Sequence, residues 1–218
     1  MIDVQRVVMR RLRGLYQRSR EKKLELFFEL TGLRCGAKIL DVGANPNNVN
    51  EFENMLERRH ANDYDVTAIT LINAAPLRRL FPNVRCIQAD GCVLPFRDDA
   101  FDTVFSNAVI EHVGSEDQQR RFVWEMVRVA KTGFLTTPNY WFPIEQHMTL
   151  PFIHYLPWPV RARVIKAFAD QGRVDYMKQV RLLSARDFRS LFPVNVNVRM
   201  IRMRTTFWPE QLVAFFSR

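Results

Sequence analysis

The chain has 218 residues, 47% of them hydrophobic, and a formal net charge of +9, which is enough apolar material for one substantial core. No apolar run approaches the roughly 20 residues of a membrane span, and the N-terminal stretch, charged throughout, lacks the apolar segment of a secretory signal. Three cysteines, Cys35, Cys86 and Cys92, show no CxxC spacing, so no disulfide framework and no metal site is expected, and the setting reads as cytoplasmic.

Residues 2–31 read as a helix, with Val4, Val8, Leu12, Leu15, Leu24, Phe27 and Phe28 recurring at three- and four-residue steps. Gly14 weakens the middle enough to allow two helices. The segment is basic, with eight Lys/Arg against two acids over residues 1–23. It reads either as a lid over a pocket or as an amphipathic contact to an anionic membrane surface. From residue 38 strands and helices alternate: "KILDVG", then "VNEFENMLERR" with Phe52, Met55 and Leu56 on one face, "DVTAIT", "APLRRLF", "VRCIQAD" and "FDTVFSN". A helix over "SEDQQRRFVWEMVRVA" follows, capped by Ser115 with Phe122, Met126 and Val129 buried, and then the strand "GFLTTP". This alternation implies an α/β fold, a mostly parallel sheet with helices on both faces. Ligands in such sheets sit beyond the carboxyl ends of the strands, here the turns after residues 42, 70, 90 and 106.

The stretch 139–160, "NYWFPIEQHMTLPFIHYLPWPV", breaks the alternation and reads as a substrate-pocket wall or as packing over a sheet end. A basic helix near 160–171, a helix capped by Ser184 and two closing strands, "VNVRMIRM" and "QLVAFFS", complete the chain as an antiparallel hairpin. The expected organisation is an N-terminal helical extension over 1–31 and a single domain over 32–218, with 139–171 as an aromatic-rich insertion. Charge divides similarly. Residues 160–218 carry twelve Lys/Arg against four acids, whereas 24–159 carry twelve against seventeen. Basic ends suit an anionic partner such as a phospholipid surface, nucleic acid or a charged substrate, or they are plain solubilising charge.

The block "CIQADGCVLPFRDDAFDTVFSNAVIEHV", residues 86–113, together with "ILDVG", resembles a class I S-adenosylmethionine-dependent methyltransferase. The likeness is to the small-molecule group (methyltransferase domain type 11) with a Rossmann-like core. It runs from about Lys38 to Asn139 and more loosely to the C-terminus. The resemblance implies S-adenosyl-L-methionine as cofactor, with Asp90 accepting from the adenine amino group and Gly91 letting the ring approach. It also implies that Asp41 orients the cradle and faces the methionine amine, and that Asn107 lines the methyl-donor site. Read without the family, Asp90 is a turn cap and Asp41 a strand acid in need of a partner.

Two positions depart from the family. The glycines expected after Gly43 are replaced by Asn45 and Asn47, tolerable because Asn enters the left-handed region more readily than most residues. The acid that binds the ribose falls at Thr70, a change worth roughly 1.5–3 kcal/mol for one charged hydrogen bond. Asn45, Asn47 or Asn48 are expected to supply substitute contacts. Methyl transfer asks mainly for in-line positioning and exclusion of water; for a hydroxyl acceptor a general base helps. The base candidates are His112, His147 and Glu145. His60 reads as surface, and His154 and Trp158 as packing. The expected function is therefore methylation of a small-molecule or lipid-like acceptor, anionic if the basic ends meet it. A non-catalytic methyltransferase-like scaffold is the alternative. An RNA methyltransferase is disfavoured because no RNA-binding module or base-methylation motif is present. Nothing in the sequence sets the oligomeric state.

Overall fold

The computed structural model describes residues 4–47 and 52–218, and the side chains within them except those of residues 4–13 and Tyr16. The helix Val4–Thr31 (α1) opens the chain. Five strands follow, Lys38–Val42 (β1), Asp65–Thr70 (β2), Arg85–Gln88 (β3), Phe101–Asn107 (β4) and Ala130–Pro138 (β5). Between them lie Met55–His60 (α2), Ala75–Leu80 (α3) and Glu116–Val129 (α4). A short ribbon, Ile144–Glu145 (β6) against Leu150–Pro151 (β7), precedes Trp158–Phe168 (α5), Gln171–Gln179 (α6) and Ala185–Ser190 (α7). Asn197–Met203 (β8) and Gln211–Ser217 (β9) close the chain. The main sheet has the order β3-β2-β1-β4-β5-β9-β8; β1 to β5 run parallel, and the last two strands are antiparallel to their neighbours.

Alternation along each strand feeds two cores. Leu40, Val42, Val104, Leu135 and Phe216 pack with Phe122 and Met126 of α4 and Phe188 of α7. Ile39, Phe105, Phe134 and Val213 pack on the other face with Leu24 and Phe27 of α1, Leu56 of α2 and Leu77 of α3. A third cluster, Ile153, Ile165, Val174 and Met177, joins α5 and α6 to the aromatic segment. The sheet thus has a helical layer on each face, and its parallel strands all deliver their carboxyl ends to one side.

Most expected elements are where the pattern placed them, with informative differences. The α1 helix does not break at Gly14, because its second half is fixed to the sheet: the Phe27 ring lies 5.0 Å from Phe105 and 5.7 Å from Phe134. The α4 start is a full capping box, with Ser115 Oγ accepting from Gln118 N and Gln118 Oε1 accepting from Ser115 N. Of the helix expected over 49–59, the described residues form only the short α2, with a turn and bend over 52–54 before it. The apolar face expected at Val4, Val8 and Leu12 and the contact expected of Asn48 lie outside the described residues and side chains. His60 is not a bare surface group, since its ring sits 4.4 Å from that of Phe28. Among the described residues no helix is long and apolar enough to cross a membrane.

Candidate active site

The turns after β1, β2, β3 and β4 surround a cleft of about 780 Å³, lined among others by Asp41, Gly43, Asn45, Thr70, Asp90 and Asn107. Gly43 makes the first turn. Its φ is +101°, and a Cβ there would lie 2.3 Å from Val109 Cγ2, so neither the backbone nor the space admits a side chain. The amides of Gly43 and Ala44 both donate to Ile69 O at 3.0 Å, which ties the turn to β2. Beyond it the loop is held by amide side chains. Asn54 Oδ1 accepts from Asn45 N and Asn54 Nδ2 donates to Asn45 O, each at 2.8 Å. Asn45 Nδ2 donates to Glu53 Oε2, and its Oδ1 accepts from Asn47 N. Among the described residues the asparagine in the left-handed region is Asn54, at φ 52°, rather than Asn45 or Asn47. Asn45 shapes the cradle from within the loop.

Asp41, 6% exposed at the floor of the cleft, faces Glu57 of α2, which is 3% exposed. Burial, and then the charge of Glu57, holds the Asp41 carboxyl well above its usual range; burial likewise raises Glu57. Neither oxygen of Glu57 has a donor from elsewhere in the described residues. A hydrogen bond between the two acids therefore requires that one keep its proton. Both folded-state pKa values lie above the unfolded ones, so the pair's contribution is fully present below about pH 4, the ordinary carboxylate range, and is lost as pH rises through the raised values. Glu57→Gln, which replaces the proton by an amide donor, is expected to be more stable than wild type at pH 8. The difference should shrink on acidification; parallel urea titrations across that range check it.

On the adenine side, Asp90 Oδ1 accepts from Cys92 N at 2.8 Å. The residue therefore caps its turn while lining the cleft. Gly91 is required by what lies beneath it: a Cβ would stand 2.5 Å from Phe122 Cε2 and 3.3 Å from Val42 Cγ1. Gly91 also lines the cleft, where room for a ring is the expectation from sequence. Thr70, buried at the end of β2, lines the cleft.

The opposite wall concentrates buried charge. Asn107 Oδ1 accepts from Lys23 Nζ of α1 at 2.9 Å and from Thr136 Oγ1 at 2.8 Å. Lys23 is 4% exposed; burial, helped by Arg20 and opposed by Glu111 and Glu210, lowers its pKa to about 7. Next along the chain, a 3-10 turn, Ile110–His112, presents Glu111 and His112. It is fixed by Gln119 Nε2 donating to Ile110 O and by Arg181 N donating to Glu111 O. Glu111 is fully buried. Its Oε2 accepts from Thr137 Oγ1 at 3.0 Å, and its Oε1 has no hydrogen-bond partner among the described residues. Burial raises its pKa to about 7, against the pull of its own backbone N–H and of His147. His112 lines the cleft and is pushed down to about 4 by burial and by His147. The structure brings the three base candidates together. The His112 and His147 rings are 5.1 Å apart, and His147 Nδ1 is 2.6 Å from Glu145 Oε1. Glu145 Oε2 accepts from Met148 N; burial works to raise this carboxyl, but the His147 contact and the local N–H groups hold it below the usual range. Tyr176 of α6 completes the wall, its ring 5.6 Å from His112 and 5.9 Å from His147. His154 packs as expected, with Nε2 against Tyr140 O at 2.9 Å.

Lys23, Glu57, Glu111 and Tyr176 were not singled out from the sequence. Lys23 had a signal: with Ser19 and Phe27 it stands on one helical stripe at four-residue spacing, and that stripe is buried.

Residues 40–135 match a family model described as methyltransferase domain. A probable S-adenosylmethionine-dependent methyltransferase of Mycobacterium tuberculosis is 40% identical over 80 residues, 35% of this chain and 26% of the relative; the chain thus spans about a quarter of that protein's length. Magnesium protoporphyrin IX methyltransferase from Synechocystis PCC 6803, solved with bound SAH, superposes with a TM-score of 0.62 at 12% identity, covering 97% of this chain and 87% of that one. A Rhodobacter sphaeroides chain described as a Zn-dependent alcohol dehydrogenase superposes at 0.66 with 13% identity, covering 90% and 89%. At such identities the likeness is one of fold, and the matched sequence block distinguishes between the two. Taken with the sheet order and the cleft, that block identifies residues 40–135 as the core of a class I, Rossmann-like methyltransferase domain.

Proposed function

We propose that the chain is an S-adenosylmethionine-dependent methyltransferase acting on a small-molecule or lipid-like acceptor. The observation that carries the reading is the cleft itself, with Asp41, Gly43, Thr70, Asp90 and Asn107 converging on it at the carboxyl ends of four adjacent parallel strands. The residues suit the donor. A floor acid held at raised pKa beside a second acid favours a ligand that brings positive charge, and Asp90 keeps acceptor capacity toward an exocyclic amine beyond its bond to Cys92. When bound, S-adenosylmethionine supplies a methyl group already activated on a sulfonium. The chain's own part is to hold and orient: Asp41 toward the ammonium, Asp90 toward the adenine edge, and Asn107, pinned by Lys23 and Thr136, on the wall beside His112. Support for an apolar or lipid-like acceptor comes from the aromatic segment, where Trp141 and Phe152 are 58% and 60% exposed.

Asp90→Asn is the sharpest test, because an amide can still accept from Cys92 N yet loses the charge. Binding of S-adenosylmethionine or its demethylated product, followed by calorimetry, should weaken about 10- to 100-fold, the equivalent of one charged hydrogen bond. Absence of binding to the wild-type chain at millimolar ligand would remove the enzymatic reading. The acceptor class is checked by incubating the enzyme and donor with separate lipid and water-soluble extracts and looking for methylated products by mass; labelling confined to the aqueous pool would refute a lipid-like acceptor.

A further inference from the structure

We propose that Glu111, His112 and His147 form a divalent-cation site, best suited to zinc, whose open coordination position faces the cleft and takes an oxygen of the methyl acceptor. The cation site stands on the side chains alone; only the role of the open position rests on the proposed methyl transfer.

One donor atom from each of the three residues lies within 4.8 Å of the other two. Two imidazoles and one carboxylate are a donor set used by catalytic zinc, which keeps a fourth position for water or substrate. A tetrahedral zinc with donors at about 2.1 Å sets them about 3.4 Å apart. The 3.9 Å between His112 Nε2 and Glu111 Oε1 is thus a short closing movement from a bound geometry.

Two independent features point to a ligand rather than to a self-contained cluster. Glu111 Oε1 is fully buried with no hydrogen-bond partner among the described residues, although its other oxygen is satisfied by Thr137. A buried carboxylate oxygen left in this state is costly unless something positive meets it. His147 is held through Nδ1 by Glu145 at 2.6 Å, which fixes the ring and leaves Nε2 as its ligating nitrogen. Carboxylate to imidazole to metal is the usual outer-shell arrangement.

The placement gives the site a use. His112 and Tyr176 both line the cleft, whereas Glu111 and Glu145 sit behind them, buried. A cation there has protein donors on its inner side, and the side left over opens on the wall beside Asn107. An acceptor bound through a hydroxyl or carbonyl oxygen would be held at a fixed place in the cleft without any dedicated pocket of side chains.

The full chain, stripped with chelator and dialysed, is titrated with zinc chloride by calorimetry, with cobalt as an optical probe of coordination number. About one equivalent should bind, with a cobalt spectrum of four- or five-coordinate type and a rise in melting temperature. Glu111→Gln and His147→Ala should abolish that equivalent and the thermal shift. Glu145→Gln, which touches only the outer contact, should weaken binding about 10- to 100-fold. Circular dichroism confirms that each variant is folded; should Glu111→Gln fail to fold, His147→Ala and Glu145→Gln carry the test. No zinc or cobalt binding by the wild type, or undiminished binding by the variants, overturns the site. Titration of the same samples with S-adenosylhomocysteine separates this outcome from failure of the proposed function: donor-product binding should persist in His147→Ala whether or not the cation site exists.

Discussion

Gly43→Ala is expected to lose about 2–4 kcal/mol of stability, the combined scale of a left-handed non-glycine residue and an overpacked contact. Both contributions are visible. The φ of +101° is one that alanine rarely adopts, and its methyl would meet Val109 Cγ2 at 2.3 Å and Cγ1 at 3.1 Å. A lower urea midpoint with unchanged denaturant slope measures the total. The two parts separate in a double-mutant cycle. Val109→Ala removes the clash but not the backbone cost, so the double variant should be more stable than the sum of the single losses. Strict additivity would mean that Val109 moves freely aside. Because Val109 also lines the cleft, Gly43→Ala should weaken donor binding as well.

Lys23→Met is expected to stabilise the chain near neutral pH by roughly 2–4 kcal/mol, while costing function. The folded-state pKa of Lys23, about 7, lies below the ordinary 10.5. Between those values the unfolded chain carries a proton that the folded one does not, so wild-type stability rises with pH across the window. Below about pH 7 the whole penalty for burying the amine is in force. A drop of about 3.5 units corresponds to nearly 5 kcal/mol, from which a lost hydrogen bond subtracts about 1. Methionine keeps the volume, and Asn107 Oδ1 retains Thr136 Oγ1 as a donor. The excess of the variant over wild type should therefore be largest below about pH 7 and give way, as pH passes 10, to a deficit of about 1 kcal/mol from the lost hydrogen bond. A constant excess at all pH values would show that Lys23 does not titrate in this range. Asn107 loses its Lys23 anchor in the variant, so turnover should fall even as the melting temperature climbs.

These two residues also show where sequence was informative and where it was not. Strand boundaries were legible because short runs rich in β-branched and aromatic residues are punctuated by Gly43, Asp90 and Asn107, and "FDTVFSN" is the whole of β4. Helix α4 announced itself through Ser115 and Gln118. Helix α6 did not: "QGRVDYMKQ" has a weak apolar stripe and a glycine at its second position, although Asp170, whose side chain accepts from Arg173 N, was a cap in plain view. For the site, residues named by motif position (Asp41, Gly43, Asp90, Asn107) line the cleft as expected. Glu57 and Glu111, whose importance comes from burial, were invisible, and Lys23 had only its place on a helical stripe with Ser19 and Phe27, because charge inside a protein is a property of its surroundings. The Glu145–His147 contact was within reach because its partners are two residues apart; the meeting of His147 with His112 depends on how the segment after β5 folds back.

The aromatic segment and hairpin that follow the family-matched block have a practical meaning. Residues 40–135 end inside β5, whose far edge is covered along seven residue pairs by β9, from Thr132 opposite Ser217 to Pro138 opposite Gln211. An excised fragment would bare that edge, apolar on both sides, and would also forfeit Phe27 from the first helix. Such a piece should self-associate into insoluble strands rather than behave as a minimal catalyst. Laboratory versions of this domain are best trimmed, if at all, outside the two closing strands.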